Sequence, residues 1–212
     1  MIKTILFDLD GTLIDSTYAI IEGFKTSFDK FNLKYPGDEL VKKQIGYPLD
    51  IISTNLGVRE NIDDFIEIYK KRYGEIYLQT TTLLPNAKEA IELASSFATL
   101  GVVTTKVSKY SKLILQKHKV LNYFGTVIGR DNVDNPKPDK EPIIKALKDL
   151  DKTTKYAYMV GDTKMDMLSA KNANIKGIAL ACGYSDIDTL KAYTDLIFSD
   201  ALEAVKFIKT MN

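Results

Sequence analysis

Short apolar runs alternate with amphipathic segments along most of this chain. Ile2–Phe7 is apolar apart from Lys3 and Thr4, and it stops at the carboxylates Asp8 and Asp10. Similar runs recur at Phe97–Val103, Phe124–Ile128, Tyr156–Val160, Gly177–Ala181 and Leu196–Phe198. Each is the length of a buried strand, and most are bounded by Gly, Asp or Asn. Helical spacing fills the gaps at Asn86–Ser96, Ser108–His118, Asp139–Leu150 and Thr163–Ala173, with Asn174 placed to close the last helix in a left-handed conformation. From Leu84 onward this alternation predicts a Rossmann-like, doubly wound parallel sheet with helices on both faces, an α/β fold.

The stretch from Asp15 to Leu83 breaks the pattern. Thr17–Phe31, Asp38–Ile45, Leu49–Leu56 and Asn61–Leu78 all have helical spacing, and no strand stands out among them. In the last segment Phe65, Ile66, Tyr69, Tyr73, Ile76 and Tyr77 form one broad apolar stripe, a pattern of core packing rather than of a cofactor box. The stretch is either extra helical core or a small helical domain inserted over the sheet.

Composition narrows the chemistry. The 212 residues carry 29 basic and 28 acidic side chains, a net charge of +1, which excludes the broad positive footprint of a nucleic-acid-binding protein. A single cysteine, Cys182, excludes a disulfide framework and a cysteine-rich zinc site, and a single histidine, His118, argues against a serine–histidine–aspartate triad. No window reaches the roughly 18–20 apolar residues of a membrane span, and no signal peptide opens the sequence. A cytoplasmic location is the expectation, without membrane or nucleic-acid partners. The oligomeric state stays open, a monomer included. Catalysis, if any, falls to carboxylates, lysines and hydroxyls.

In open α/β sheets, ligands bind outside the carboxyl ends of the strands. The residues there are Asp8-Leu9-Asp10-Gly11-Thr12 after the first run, Thr104-Thr105-Lys106 after the second, Lys137-Pro138 beyond the third, and Gly161-Asp162 through Asp166 after the fourth. Asp8, Asp10 and Asp162 would repel one another unless a divalent cation lay between them, and hard oxygen donors without histidine or cysteine point to Mg²⁺. Lys137 adds a fixed positive charge and Thr104 a hydroxyl donor. Together they suggest metal-assisted phosphoryl transfer, in which one aspartate attacks phosphorus and another, two residues on, exchanges the proton of the leaving oxygen.

With those residues in order, the sequence resembles the haloacid dehalogenase superfamily, in its phosphatase branch with a helical cap. Asp8 through Ser16 is similar to the family's first motif almost letter for letter, Thr104 to the second, Lys137-Pro138 to the third, and Gly161-Asp162 through Asp166 to the fourth. The resemblance implies a catalytic core of residues 1–14 and 84–212 and a mobile helical cap of residues 15–83. It implies Asp8 as the nucleophile that forms an aspartyl-phosphate, and Asp10 as general acid and base. It further implies Mg²⁺ held by Asp8, the Asp10 main-chain carbonyl and Asp162, with Asp166 supporting the metal's waters, and Thr104 and Lys137 on the phosphoryl group. Thr105 is a further candidate phosphate contact, although close relatives usually carry Asn there. Lys140 replaces a frequent second proline of the third motif, a change confined to its loop.

Within that family Asp10 argues for phosphate chemistry over dehalogenation, whose leaving halide needs no proton. The reading is a phosphatase acting on a small phosphorylated metabolite, a phosphomonoester hydrolysed in the manner of phosphoglycolate phosphatases. The alternatives are a β-phosphoglucomutase-like hexose-phosphate mutase, which typically opens its cap helix with a histidine absent from Thr17–Phe31, and a pyrophosphatase or nucleotidase. A non-catalytic binding module on this fold would be expected to have lost one of Asp8, Asp10 or Asp162, and all are present. Gln44-Ile45-Gly46-Tyr47-Pro48 resembles the loop such enzymes lower over substrate, so Gly46 and Tyr47 are candidate substrate contacts, and Lys106 is another. Lys42 and Lys43 read as a solvated helix face, His118 as a surface helix residue, and Cys182 as a packing residue remote from the four motifs.

Overall fold

A computed structural model describes residues 2–211. Strand β1 (Lys3–Phe7) leads through a tight loop into a short strand β2 (Ile14–Asp15). Four helices follow: α1 (Thr17–Lys30), α2 (Asp38–Lys42), α3 (Leu49–Asn55) and α4 (Ile62–Thr80). Strand β3 (Thr82–Leu83) then pairs antiparallel with β2, Ile14 opposite Leu83 and Asp15 opposite Thr82. From there helix and strand alternate through α5 (Ala87–Ser95), β4 (Ala98–Val103), α6 (Ser108–Lys117), β5 (Phe124–Ile128) and α7 (Glu141–Asp149). The chain ends with β6 (Ala157–Gly161), α8 (Lys164–Asn172), β7 (Lys176–Leu180), α9 (Ile187–Lys191), β8 (Ile197–Phe198) and α10 (Ala201–Thr210).

Six strands form one parallel sheet in the order β5-β4-β1-β6-β7-β8. The chain winds from β1 through β4 to β5, then returns to β6 on the other side of β1. Its topological switch point therefore lies at the carboxyl end of β1. Alternation along β1 sends Ile5 and Phe7 into one core, with Ala90 and Ile91 of α5 and Val205 and Ile208 of α10. Leu6 faces the other way, into a core with Ile143 and Leu147 of α7 and Ala170 of α8. Burial on both faces is why the strands read as nearly continuous apolar runs; all five residues of β6 are buried.

The sequence finds α1 through α8 to within a few residues at their ends, and misses α9 and α10. Asn174 has φ +55° and its amide donates to the Lys171 carbonyl at 3.0 Å, closing α8 as its position suggested. Two details differ. Helix α2 stops at Lys42 rather than Ile45, because the chain must turn through Gly46, at φ +106°, before Pro48. The insert also begins and ends in the β2–β3 ribbon, which the sequence concealed because strands of two residues carry no period.

Helices α1 and α4 pack through aromatic side chains. Phe28 meets Phe65 edge to face at 5.1 Å, Phe24 lies 4.7 Å from Tyr69, and the buried Ser27 hydroxyl donates to the Phe65 carbonyl at 3.0 Å. Burying one such phenylalanine is worth roughly 2 kcal/mol. Farther along α4, Tyr69, Tyr73 and Tyr77 fall at i, i+4 spacing and stack with ring centroids 5.8 and 5.3 Å apart. Tyr110 of α6 meets this ladder edge-on, 5.5 Å from Tyr73 and 4.9 Å from Tyr77, so the stripe continues past the insert's own core into its contact with the sheet domain. Among the described residues no helix is long and apolar enough to cross a membrane.

Candidate active site

The switch point is where the acidic residues meet. The amide of Asp8 donates to the Val160 carbonyl at 2.8 Å, extending the β1–β6 ladder by one residue and fixing where its side chain starts. The loop beyond then turns tightly, the amides of Leu13 and Ile14 both donating to the Leu9 carbonyl at 2.9 and 3.0 Å. Gly11 makes this turn at φ +78°, with its Cα so near the Asp162 carboxylate that a Cβ would collide with it. Asp162 follows β6 directly and Asp166 sits in the first turn of α8. One oxygen each of Asp8, Asp162 and Asp166 lies within 4.8 Å of the others, and all three residues are buried.

Lys137 is the one cation inside this cluster among the described residues. Its ammonium donates to Asp8 Oδ1 at 2.8 Å, Asp166 Oδ1 at 2.6 Å and the Val103 carbonyl at 3.0 Å, which uses all three of its hydrogens. Burial works against its charge, but Asp166 and Asp8 outweigh that and hold the ammonium charged. The other oxygen of Asp166 accepts from the Thr163 amide at 3.0 Å and the Thr163 hydroxyl at 2.7 Å, a capping box at the start of α8. Both oxygens of Asp166 are therefore engaged, and the residue braces the cluster.

The remaining charge is uncompensated. Burial pushes the Asp8 carboxyl up to about 7, only partly offset by Lys137 and reinforced by Asp166 and Asp10. Burial and the two neighbouring carboxylates also hold Asp162 well above the usual range, against hydrogen bonds from the Thr12 hydroxyl at 2.9 Å and the Tyr184 amide at 2.8 Å. Three buried carboxylates around one ammonium form a donor set suited to a hard divalent cation.

Asp10 points away from that cluster. One of its oxygens accepts a short hydrogen bond from the Ser16 hydroxyl, and the other lies 3.2 Å from the Lys106 ammonium. Lys106 also donates to the Tyr73 hydroxyl of α4 at 2.7 Å, its ammonium 4.6 Å from the ring centroid. Asp10, Thr105 and Lys106 form part of the lining of a cavity of about 300 Å³ between the sheet domain and the insert. Gly46 and Tyr47 reach the same cavity from the insert. A Cβ on Gly46 would stand 2.9 Å from Thr163 Cγ2, so this loop rests directly on the loop that carries Asp162.

Thus Asp8, Asp162, Asp166 and Lys137 converge in one cluster, while Asp10, Thr105, Lys106, Gly46 and Tyr47 share the adjoining cavity. Thr104 is buried at the end of β4, its amide bonded to the Ile128 carbonyl at 2.9 Å and its hydroxyl oxygen accepting from the Lys106 amide at 3.2 Å. Lys42 stays in an ion pair with Glu39 at 2.8 Å, away from the cavity. Two sequence expectations fail. Cys182 is exposed rather than packed, and its Sγ lies 3.7 Å from the Gly11 carbonyl, because the β7 end returns beside the first motif. His118 is half-buried rather than a plain surface residue; its Nε2 lies 3.2 Å from the Thr81 carbonyl next to the ribbon. The sequence also passed over Ser16, Tyr73 and Tyr184 as site residues. Ser16 stands within the first motif, but Tyr73 and Tyr184 reach the site only through tertiary contacts.

The haloacid dehalogenase-like hydrolase model matches residues 5–180, which span β1 through β7. The pyrophosphatase PpaX of Oceanobacillus iheyensis is 30% identical over 98% of this chain and 97% of its own length. A phosphoglycolate phosphatase of Salmonella typhi is 27% identical over 87% of this chain and 83% of its own. The solved structure of a haloacid dehalogenase-like family hydrolase from Streptococcus pneumoniae superposes with a TM-score of 0.88, at 27% identity and with 97% and 98% of the two chains covered. A shared topology, a four-part site at one switch point and a family match across the sheet agree: the chain belongs to the haloacid dehalogenase-like hydrolases and falls among their phosphatases.

Proposed function

We propose that this enzyme hydrolyses a small phosphomonoester through an aspartyl-phosphate on Asp8, with Asp10 as its general acid and base. The observation that carries this reading is the division of labour between two aspartates two residues apart. Asp8 is held by Lys137 inside the buried acid cluster, and Asp10 faces a cavity large enough for an alcohol.

In the first step an Asp8 oxygen forms a bond to phosphorus while the bond from phosphorus to the leaving oxygen breaks. Asp10 delivers its proton to that oxygen, and the alcohol departs. In the second step Asp10 takes a proton from water as the water oxygen bonds to phosphorus, which frees inorganic phosphate and restores Asp8. Lys137 keeps Asp8 oriented and balances charge on the phosphoryl group, with the Thr104 hydroxyl and Thr105 as further partners on the phosphoryl oxygens. Asp8, Asp162 and the Asp10 main-chain carbonyl would hold Mg²⁺, with Asp166 bracing its water. Bound there, the ion would neutralise phosphate charge in the ground and transition states. Residues 15–83 act as the cap, and Gly46 and Tyr47 border the substrate from that side.

A pyrophosphatase reading is favoured by one finding, the 30% identity to the Oceanobacillus protein of that name. Phosphate release from a panel of phosphomonoesters and pyrophosphate, with and without Mg²⁺, tests both. Asp8→Asn is expected to lower turnover by about 10³-fold or more. Equal release by wild type and variant would sink the aspartyl-phosphate mechanism.

A further inference from the structure

The cavity beside Asp10 has walls that bear on what leaves with the substrate. Ile20, Tyr47, Leu49, Ile52, Tyr69 and Tyr110 supply apolar and aromatic surface from both domains. Three cations reach it, and two of them have carboxylate partners. Lys106 pairs with Asp10 at 3.2 Å and with the Tyr73 hydroxyl, Lys70 pairs with Glu67 at 2.6 Å, and Arg130 donates to the Val133 carbonyl at 2.9 Å. Asp50 and Asp131 in the same lining offset two of those three cations, and Asp10 offsets the third whenever it is ionised, so the net charge of the cavity is small.

An anionic leaving group fits such a chamber poorly. A carboxylate or a second phosphate would have to be desolvated against a wall that is mostly aromatic and aliphatic, at considerable cost. An uncharged ring gains instead, since apolar area leaves water on both sides. The volume of about 300 Å³ is ample, as an apolar cavity of about 150 Å³ already holds benzene.

We infer that the leaving group is an uncharged alcohol bearing an apolar, ring-sized body, which the tyrosine-lined wall of the cap cavity binds while Asp10 protonates its oxygen. This rests on the phosphatase reading above and selects a substrate class different from those in the names of the relatives.

The test compares 2-phenylethyl phosphate, ethyl phosphate, 2-phosphoglycolate and pyrophosphate at saturating Mg²⁺. The first two release alcohols of similar acidity, so their ratio reports the cavity rather than the chemistry. 2-Phenylethyl phosphate is expected to have a kcat/KM about tenfold or more above that of ethyl phosphate, and to exceed the two anionic substrates. Leu49 is half-buried at the start of α3, so Leu49→Asn is expected to keep the fold, verified by its thermal transition, and to bring the two esters close to parity. Without any variant, 2-phenylethanol should inhibit ethyl phosphate hydrolysis competitively and glycolate should not. If phosphate is released but 2-phosphoglycolate or pyrophosphate is preferred, or the phenyl group confers no advantage, the inference is overturned and the phosphatase reading stands. Release from none of the four overturns both.

Discussion

Asp10 stands between two unlike halves of one site. On the side of Asp8 the walls are ionic and closed: of three buried carboxylates, Asp8 and Asp166 share one ammonium and Asp162 has none. On the other side lies a roomier cavity lined with rings and aliphatic chains. Backbone also separates them. The ionic half comes from loops at the carboxyl ends of the parallel strands and from the first turn of α8, held by the sheet. The apolar half is shared between the sheet domain and the insert, whose links include the β2–β3 ribbon and the Tyr110 contacts. Chemistry common to many substrates suits the half held by the sheet, and selection among substrates suits the half to which α3 and α4 contribute.

The sharpest way to separate the halves is through the residue they share. Asp10→Asn is expected to lower kcat for alkyl phosphates by about 10²–10⁴-fold. With p-nitrophenyl phosphate, whose leaving oxygen needs no proton, the loss in the first step should be far smaller. Burst kinetics would separate that step from the second, and equal losses in the first step would deny Asp10 its acid role.

A second measurement isolates the ionic half. Mg²⁺ at about a hundred times its dissociation constant is expected to stabilise the protein by about 3 kcal/mol, raising Tm by roughly 5–10 °C. Asp162→Asn should abolish most of that rise while itself tolerating the metal-free state, since it removes one buried, unpaired negative charge. An undiminished Mg²⁺ shift in the variant would place the cation elsewhere.

The smallest effect concerns the link between the halves. Tyr73→Phe keeps the aromatic stack but takes from Lys106 its hydroxyl acceptor on α4. A loss of about 1–2 kcal/mol is expected, read as a lowered Tm. An unchanged Tm would mean that the Lys106 bond adds nothing measurable to the hold on α4.

Much of this was legible residue by residue. Asp8, Asp162 and Asp166 were visible because strand ends interrupt apolar runs abruptly, and Lys137 because its loop follows another such run. The four helices between β2 and β3 showed in their helical spacing, and α4 also in its apolar stripe. What stayed hidden depended on contacts between distant segments. Tyr73 looked like any core tyrosine at helical spacing until α4 was laid beside Lys106. Cys182 looked remote until parallel pairing of β6 with β7 returned it to Gly11. The β2–β3 ribbon escaped because two residues cannot display an alternation.

The sequence by itself thus determined the doubly wound sheet, the helical insert and the identity of the acidic residues. Burial periodicity and strand-end chemistry are local properties that a chain carries before it folds. Tertiary structure alone decided how the charges pair and which surface faces the leaving group. Lys137 serves Asp8 and Asp166, and Lys106 serves Asp10 and Tyr73, because the switch point and the docked insert bring them within hydrogen-bonding distance. Electrostatic energies in a buried site depend on separations of a few ångströms, and sequence spacing does not encode them.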